Sequence, residues 1–145
     1  MNVTEAVIDY LRGEDAVMAL TDGRIFGPPG NHPEEPLRLE MNGWGTTPRK
    51  TVLVMASGLG ASIGDRSDVP EIGNRIDVRC YGESPYEADQ AHNAVYKSMK
   101  NLLRYRSGEI VLQVAEVGGG PLPGRDGDAD WPYTLGVYVV NAVYE

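Results

Sequence analysis

Cysteine, histidine and phenylalanine are almost missing from this sequence, which holds one Cys, two His and one Phe in 145 residues. The single thiol, Cys80, can close no internal disulfide. With no second cysteine or histidine at ligand spacing it begins no metal site either, so it reads as a buried thiol packing like a small hydrophobe. Long apolar runs are also lacking, and Met1-Asn2-Val3-Thr4-Glu5 carries no basic patch ahead of one. Neither a signal peptide nor a membrane span is expected. Positive charge is scarce: 13 Lys and Arg against 21 Asp and Glu leave a formal charge of −8. That is the wrong sign for gripping phosphates by counterion release, so free nucleic acid is not an expected partner.

Glycine and proline, by contrast, are plentiful, at 18 and 10 residues, and fall mostly in 27–48, 58–73 and 118–132. A chain of this length buries about 70% of its extended surface on folding, enough for one ordinary core. The expectation is a single domain over 1–145 with long loops in those three stretches.

Val3, Ala6, Val7, Tyr10 and Leu11 recur at helical spacing, with Asn2 and Glu5 placed as a capping box and Gly13 as a stop. Asp15 begins a second short helical turn through Leu20, closed by Asp22-Gly23 before Arg24-Ile25-Phe26. Thr51 to Ala56 is β-branched and apolar without alternation, as in a strand covered on both faces. From Arg75 to Tyr81 the alternation is strict, with Ile76, Val78 and Cys80 on one side and Arg75, Asp77 and Arg79 on the other. Ser84-Pro85-Tyr86-Glu87 is a strong helix start. Its apolar stripe is Ala88, Ala91, Val95, Met99, Leu102 and Leu103; Lys97, Lys100, Arg104 and Arg106 crowd its end, and Gly108 stops it. Glu109 to Val117 and Tyr133 to Tyr144 read as two further strands, with Pro132 confined to the start of the second. The order helix, strand, strand, helix, strand, strand predicts an α+β domain, a largely antiparallel sheet with helices packed on one face.

Three patterns imitate chemical sites. Gly58-Leu59-Gly60-Ala61-Ser62-Ile63-Gly64 follows a strand like a dinucleotide loop, with Asp77 near the ribose distance. The segment Asp65 to Glu71 that follows, however, has no helical stripe and contains Pro70, so no helix amides await a pyrophosphate. Asp126, Asp128 and Asp130 alternate like half a calcium loop, yet Trp131 and Val137 stand where glycine and the bidentate glutamate belong, so an acidic turn is expected. His32 lies in the proline-rich stretch and His92 beside a helix stripe, neither with a nucleophile or carboxylate placed by the sequence. No catalytic residue, cofactor or metal site is expected.

The last strand is apolar on both sides: Tyr133, Leu135, Val137, Val139 and Val143 alternate with Tyr138, Val140, Ala142 and Tyr144, and Trp131 stands just before it. One side can pack on the domain's own helices. The other needs a cover, either a second helix layer or another subunit, which makes Trp131, Tyr133, Tyr138, Val140 and Tyr144 candidates for a subunit interface. The stretch 58–73 mixes Asp65, Arg66, Asp68 and Glu71 with Ile63, Val69 and Ile72, as in a polar-rimmed contact loop that a partner orders.

Taken in order, these pieces resemble the tail terminator (tail-completion) family of long-tailed bacteriophages and related gene-transfer particles. The features that carry the resemblance begin with an N-terminal helix running through Glu14-Asp15-Ala16-Val17-Met18-Ala19-Leu20-Thr21-Asp22-Gly23-Arg24-Ile25-Phe26, then the proline-rich passage and an apolar strand. Next come Arg75-Ile76-Asp77-Val78-Arg79-Cys80-Tyr81-Gly82 with its capped helix, and last Gly118-Gly119-Gly120-Pro121 leading through Asp130-Trp131-Pro132 to a closing strand. The resemblance implies a virion structural protein without catalytic residues: a ring of copies of itself, typically six, at the head-proximal end of the tail, assembled in the host cytoplasm. It implies that the ring stops polymerisation of the tail tube protein and docks the head-tail connector, with DNA only a polymer passing through; the acidic balance of the chain adds the expectation of a channel poor in basic side chains. A head-side completion or adaptor protein is the alternative within the same particle; a small ligand-binding domain or enzyme is the alternative outside it.

Overall fold

The computed structural model describes residues 3–27, 49–61, 71–126 and 131–144. The first two helices form where the apolar spacing puts them: α1 spans Val3–Arg12 and buries Val3, Ala6, Val7, Ile8 and Leu11, and α2 spans Asp15–Thr21. The left-handed Asp22 (φ 51°) closes α2, its amide donating to the Met18 carbonyl at 2.8 Å. Strand β1, Ile25–Phe26, follows at once. Strands β2, Thr51–Ala61, and β3, Glu71–Tyr81, run antiparallel, and α3, Pro85–Lys100, starts at the Ser84 cap, whose hydroxyl accepts the Glu87 amide at 3.3 Å. Then come β4, Tyr105–Ser107, β5, Ile110–Arg125, and β6, Pro132–Tyr144.

The six strands form one sheet in the order β1-β2-β3-β6-β5-β4, antiparallel apart from the parallel β1–β2 pair. Helices cover one face. Val52, Val54, Ile76, Val78, Cys80, Ile110, Leu112, Tyr138, Val140 and Ala142 point toward them and make one core with α1 and with Ala91, Val95 and Met99 of α3. Each buried Val, Leu or Ile contributes about 1.5–3 kcal/mol of transfer free energy, so this layer dominates the stability. Side chains tie its margins: the Arg12 guanidinium donates to the Ile25 carbonyl at 2.6 Å, and Ser107 Oγ donates to Asp9 Oδ2 at 2.7 Å. The α+β class and the one-sided helix layer are as predicted.

Element ends depart from the pattern in three places. The long helix stops at Lys100, not Gly108. Leu102 turns back into the core while Leu103 is 79% exposed, so this pair does not continue the stripe, and Arg104 (φ 45°) and Arg106 lie beyond the helix. A two-residue hairpin turn, opened by Gly108 at φ 60°, instead pulls Tyr105–Ser107 into the sheet as β4. The predicted loop at 58–73 is shortened from both ends, since β2 runs to Ala61 and β3 begins at Glu71, paired with Val143 of β6. The predicted loop at 118–132 is strand as far as Arg125, because β5 passes through its glycines with three bulges, each giving β5 one residue more than β6 opposite it. Residues 28–48, with His32, residues 62–70 and residues 127–130 lie outside the described residues.

Candidate interaction surface

Register decides which side of β6 is offered outward. Ile76, Val78 and Cys80 of β3 pair with Tyr138, Gly136 and Thr134, so the even positions of β6 share the helix-covered face. Tyr138 and Val140 are 2% and 0% exposed. They belong to the chain's own core and cannot serve as the interface residues the sequence suggested. Gly136 shows why this side faces the helices. A Cβ there would come within 2.9 Å of the His92 ring and 3.1 Å of the Tyr138 ring, so only glycine lets α3 sit this close. Beside it Thr134 Oγ1 donates to Asp89 Oδ1 at 2.7 Å.

The opposite face carries Tyr133, Leu135, Val137 and Val139 of β6 beside Tyr81, Arg79, Asp77 and Arg75 of β3, with Leu53 and Met55 of β2 beyond them. Among the described residues no helix covers it. Leu135, Val137, Val139, Arg75, Asp77 and Arg79 are half-buried there. At one end an aromatic cluster closes it: the Tyr81 ring stands edge-on to Trp131 at 6.3 Å and to Tyr133 at 5.6 Å, and the Arg79 guanidinium lies 5.1 Å from the Tyr133 ring centre. Trp131 is buried in this cluster, Tyr133 is half-buried and Tyr144, at the far end of β6, is exposed. Asp77 Oδ1 is shielded from solvent without a hydrogen-bond partner among the described residues, and the Arg79 guanidinium acts on the buried Tyr81 hydroxyl beside it.

The resolved titrations move groups away from neutral pH. Burial pushes the Cys80 thiol up, which keeps it protonated and a poor nucleophile. Burial also raises Tyr10 and Tyr138, and takes Tyr81 up to about 12 although Arg79 pulls the other way. Burial lowers His92, with Asp89 opposing, so its imidazole is neutral at pH 7; its Nδ1 is buried without a partner. Among the described residues no group of three His, Cys, Asp or Glu could hold a metal ion, and no helix is long and apolar enough to cross a membrane.

Among solved structures that share this fold is one that matches it over nearly its full length. It is a chain of the virion of a native gene transfer agent (GTA) particle, 17% identical, with a TM-score of 0.61, covering 97% of this chain and 94% of that one. No family model and no curated protein sequence matches. At that identity the likeness establishes a common fold.

Of the sequence-predicted contact loop, Ile63, Asp65, Arg66, Asp68 and Val69 lie outside the described residues, and Glu71 and Ile72 belong to β3. Gly58 and Gly60, the start of the imitated dinucleotide loop, are strand residues of β2. The sequence reading also missed a cleft of about 250 Å³ on the helix side, between Tyr96 and Lys100 of α3, Ala115, Glu116 and Val117 of β5, and Tyr138 of β6. Its one sequence signal is Val117, an apolar residue at the margin of a glycine run.

Proposed function

We propose that this chain is a structural virion protein of a phage-like particle, a tail terminator whose copies form a ring closing the head-proximal end of the tail tube. The observation that carries the reading is the fold shared, over nearly the full length of both chains, with a chain of the gene transfer agent virion. Two features of the molecule support it. The face of β3 and β6 away from the helices combines a half-buried apolar row with a row of charged side chains, a composition suited to contact with a neighbouring copy. The groups a nucleophilic enzyme would draw on, Cys80 and His92, are instead packed inside the core.

In this reading the ring contacts the tail tube protein on one side and the head-tail connector on the other, with residues 63–72 among the tube contacts, and the chain itself does no chemistry. Electron microscopy of the purified protein tests the ring: closed annular particles are expected, and Val137→Asp, placed on the open face, should abolish them while leaving a folded subunit. Only monomers by light scattering, with and without tube protein, would refute it. Capture by portal protein but not by tube protein would move the assignment to a head-side adaptor. Trypsin cleavage at Arg66 that assembly does not suppress would remove the tube contact from that segment.

A further inference from the structure

Strand β5 is much longer than the strand that guards it. β4 pairs only with Ile110, Val111 and Leu112. One further bond, from the Arg104 amide to the Gln113 carbonyl at 3.0 Å, ends that cover. From Val114 onward, among the described residues, no strand lies along the outer edge of β5, while β6 continues to pair its inner edge as far as Arg125. Glu116, Val117 and Gly118 are exposed there, Val117 at 53%. An open edge of this kind is a template for an added strand unless it is blunted. The stretch Val114–Gly118 holds no proline and only one charge, Glu116; the prolines, Pro121 and Pro123, come later.

Two independent features lie alongside that stretch. The cleft between α3 and β5 opens beside Ala115 and Val117, and its floor includes Tyr138, only 2% exposed, whose hydroxyl has no hydrogen-bond partner. Leu103, exposed at 79%, precedes the residue that makes the last bond to β5, so it stands where the β4 cover ends. Two exposed bases of α3 stand on this side, Lys100 in the cleft wall and Lys97 one turn before it, with Glu116 on the β5 wall.

We infer that the edge Val114–Gly118 receives an extended segment of a partner protein, added as a further β-strand, with one apolar side chain seated in the Tyr96–Val117–Tyr138 cleft and acidic residues flanking it. Backbone pairing supplies the affinity and the cleft the selectivity, as in strand-addition recognition generally. Lys97 and Lys100 select acidic flanks on the α3 side and speed encounter at low salt. This site lies at the sheet edge on the helix side, away from the open β3–β6 face, and stands whether or not the ring reading holds.

The test is a titration of the full-length, isotope-labelled chain with a short synthetic peptide of alternating valine and threonine ending in aspartates, followed by amide shifts and amide exchange. Shifts and slowed exchange confined to residues from Val114 to Gly118 and around Tyr138 are expected. Ala115→Trp, which fills the cleft, and Val117→Asp, at an exposed position, should each weaken binding about tenfold or more. Lys100→Glu, or lysines in place of the peptide's aspartates, should weaken it several-fold and flatten its salt dependence. Shifts on the open face, or binding indifferent to Val117→Asp and Lys100→Glu, would overturn the proposal. So would protection of this edge that grows with protein concentration and that the peptide cannot displace, because the occupant would then be a second copy of the chain.

Discussion

Gly136→Ala is the substitution whose outcome the packing fixes most tightly. The added methyl would lie 2.9 Å from His92 Cε1 and 3.1 Å from both Cε2 and the hydroxyl of Tyr138. Both side chains are buried, at 7% and 2% exposure, so neither ring can swing away into solvent. Overpacking of this kind costs about 1–3 kcal/mol. Alanine in place of glycine within a strand returns about 0.5–1 kcal/mol through the unfolded state. The net expectation is a loss of up to about 2.5 kcal/mol, a fall of up to several degrees in Tm for a chain of this length. His92→Ala removes the nearer obstacle, so in that background the methyl should be neutral or stabilising. A double-mutant cycle by urea denaturation should therefore show coupling of about 1–3 kcal/mol between the two positions. Stabilisation of the wild type by Gly136→Ala, or additive effects of the two changes, would refute the claim that α3 rests on β6 through this contact.

Further outcomes follow from single residues. Ser84→Ala should lower stability by about 0.5–2 kcal/mol in denaturant titrations, because the Ser84 hydroxyl accepts the Glu87 amide at the start of α3. His92 is lowered by burial from its usual 6.5, so the unfolded chain takes up a proton that the folded chain refuses; its contribution is complete above that pH and is lost as pH falls through the folded value. The wild type should therefore lose more stability than His92→Gln between about pH 7 and about pH 5, and parallel losses would count against the buried neutral imidazole. Cys80, fully buried with its thiol pushed up, should resist alkylation in the native protein and react promptly in denaturant; fast native labelling would contradict its place in the core.

The sequence made α3 and β3 legible because polar residues punctuate them. The Ser84-Pro85 start satisfies helix amides locally, and the alternation from Arg75 to Tyr81 can only be a half-buried strand, so no tertiary information was needed. β5 was legible only to Val117. Gly118, Gly119 and Gly120 have no side chains to alternate, and their strand geometry is imposed by pairing with Val137 and its neighbours across bulges. The end of α3 was misread for a related reason: Leu102 fits the stripe by spacing, yet it reaches the core from a turn after the helix, drawn there by the hairpin that Gly108 permits. Local pattern cannot distinguish these routes to burial.

The same limit governed the candidate interface. A strand apolar on both sides announces two faces without saying which one the helices take, so the candidates Tyr133, Tyr138, Val140 and Tyr144 came from both. The deciding information is cross-strand. Once Ile76 is opposite Tyr138 and Val78 opposite Gly136, the apolar side of β3 and the even positions of β6 must share a face, and the helices, which need apolar area, take it. What remains is Arg75, Asp77 and Arg79 set against Val139, Val137 and Leu135. That pairing of a charged row with an apolar row is a compromise between two states. A charged row lowers the cost of exposing such a face to water, and an apolar row gains from being covered. A wholly apolar face would aggregate when exposed and a wholly charged one would resist burial, so a face of this mixed kind suits the ring proposed above, in which it would be open in a free subunit and covered in an assembled one.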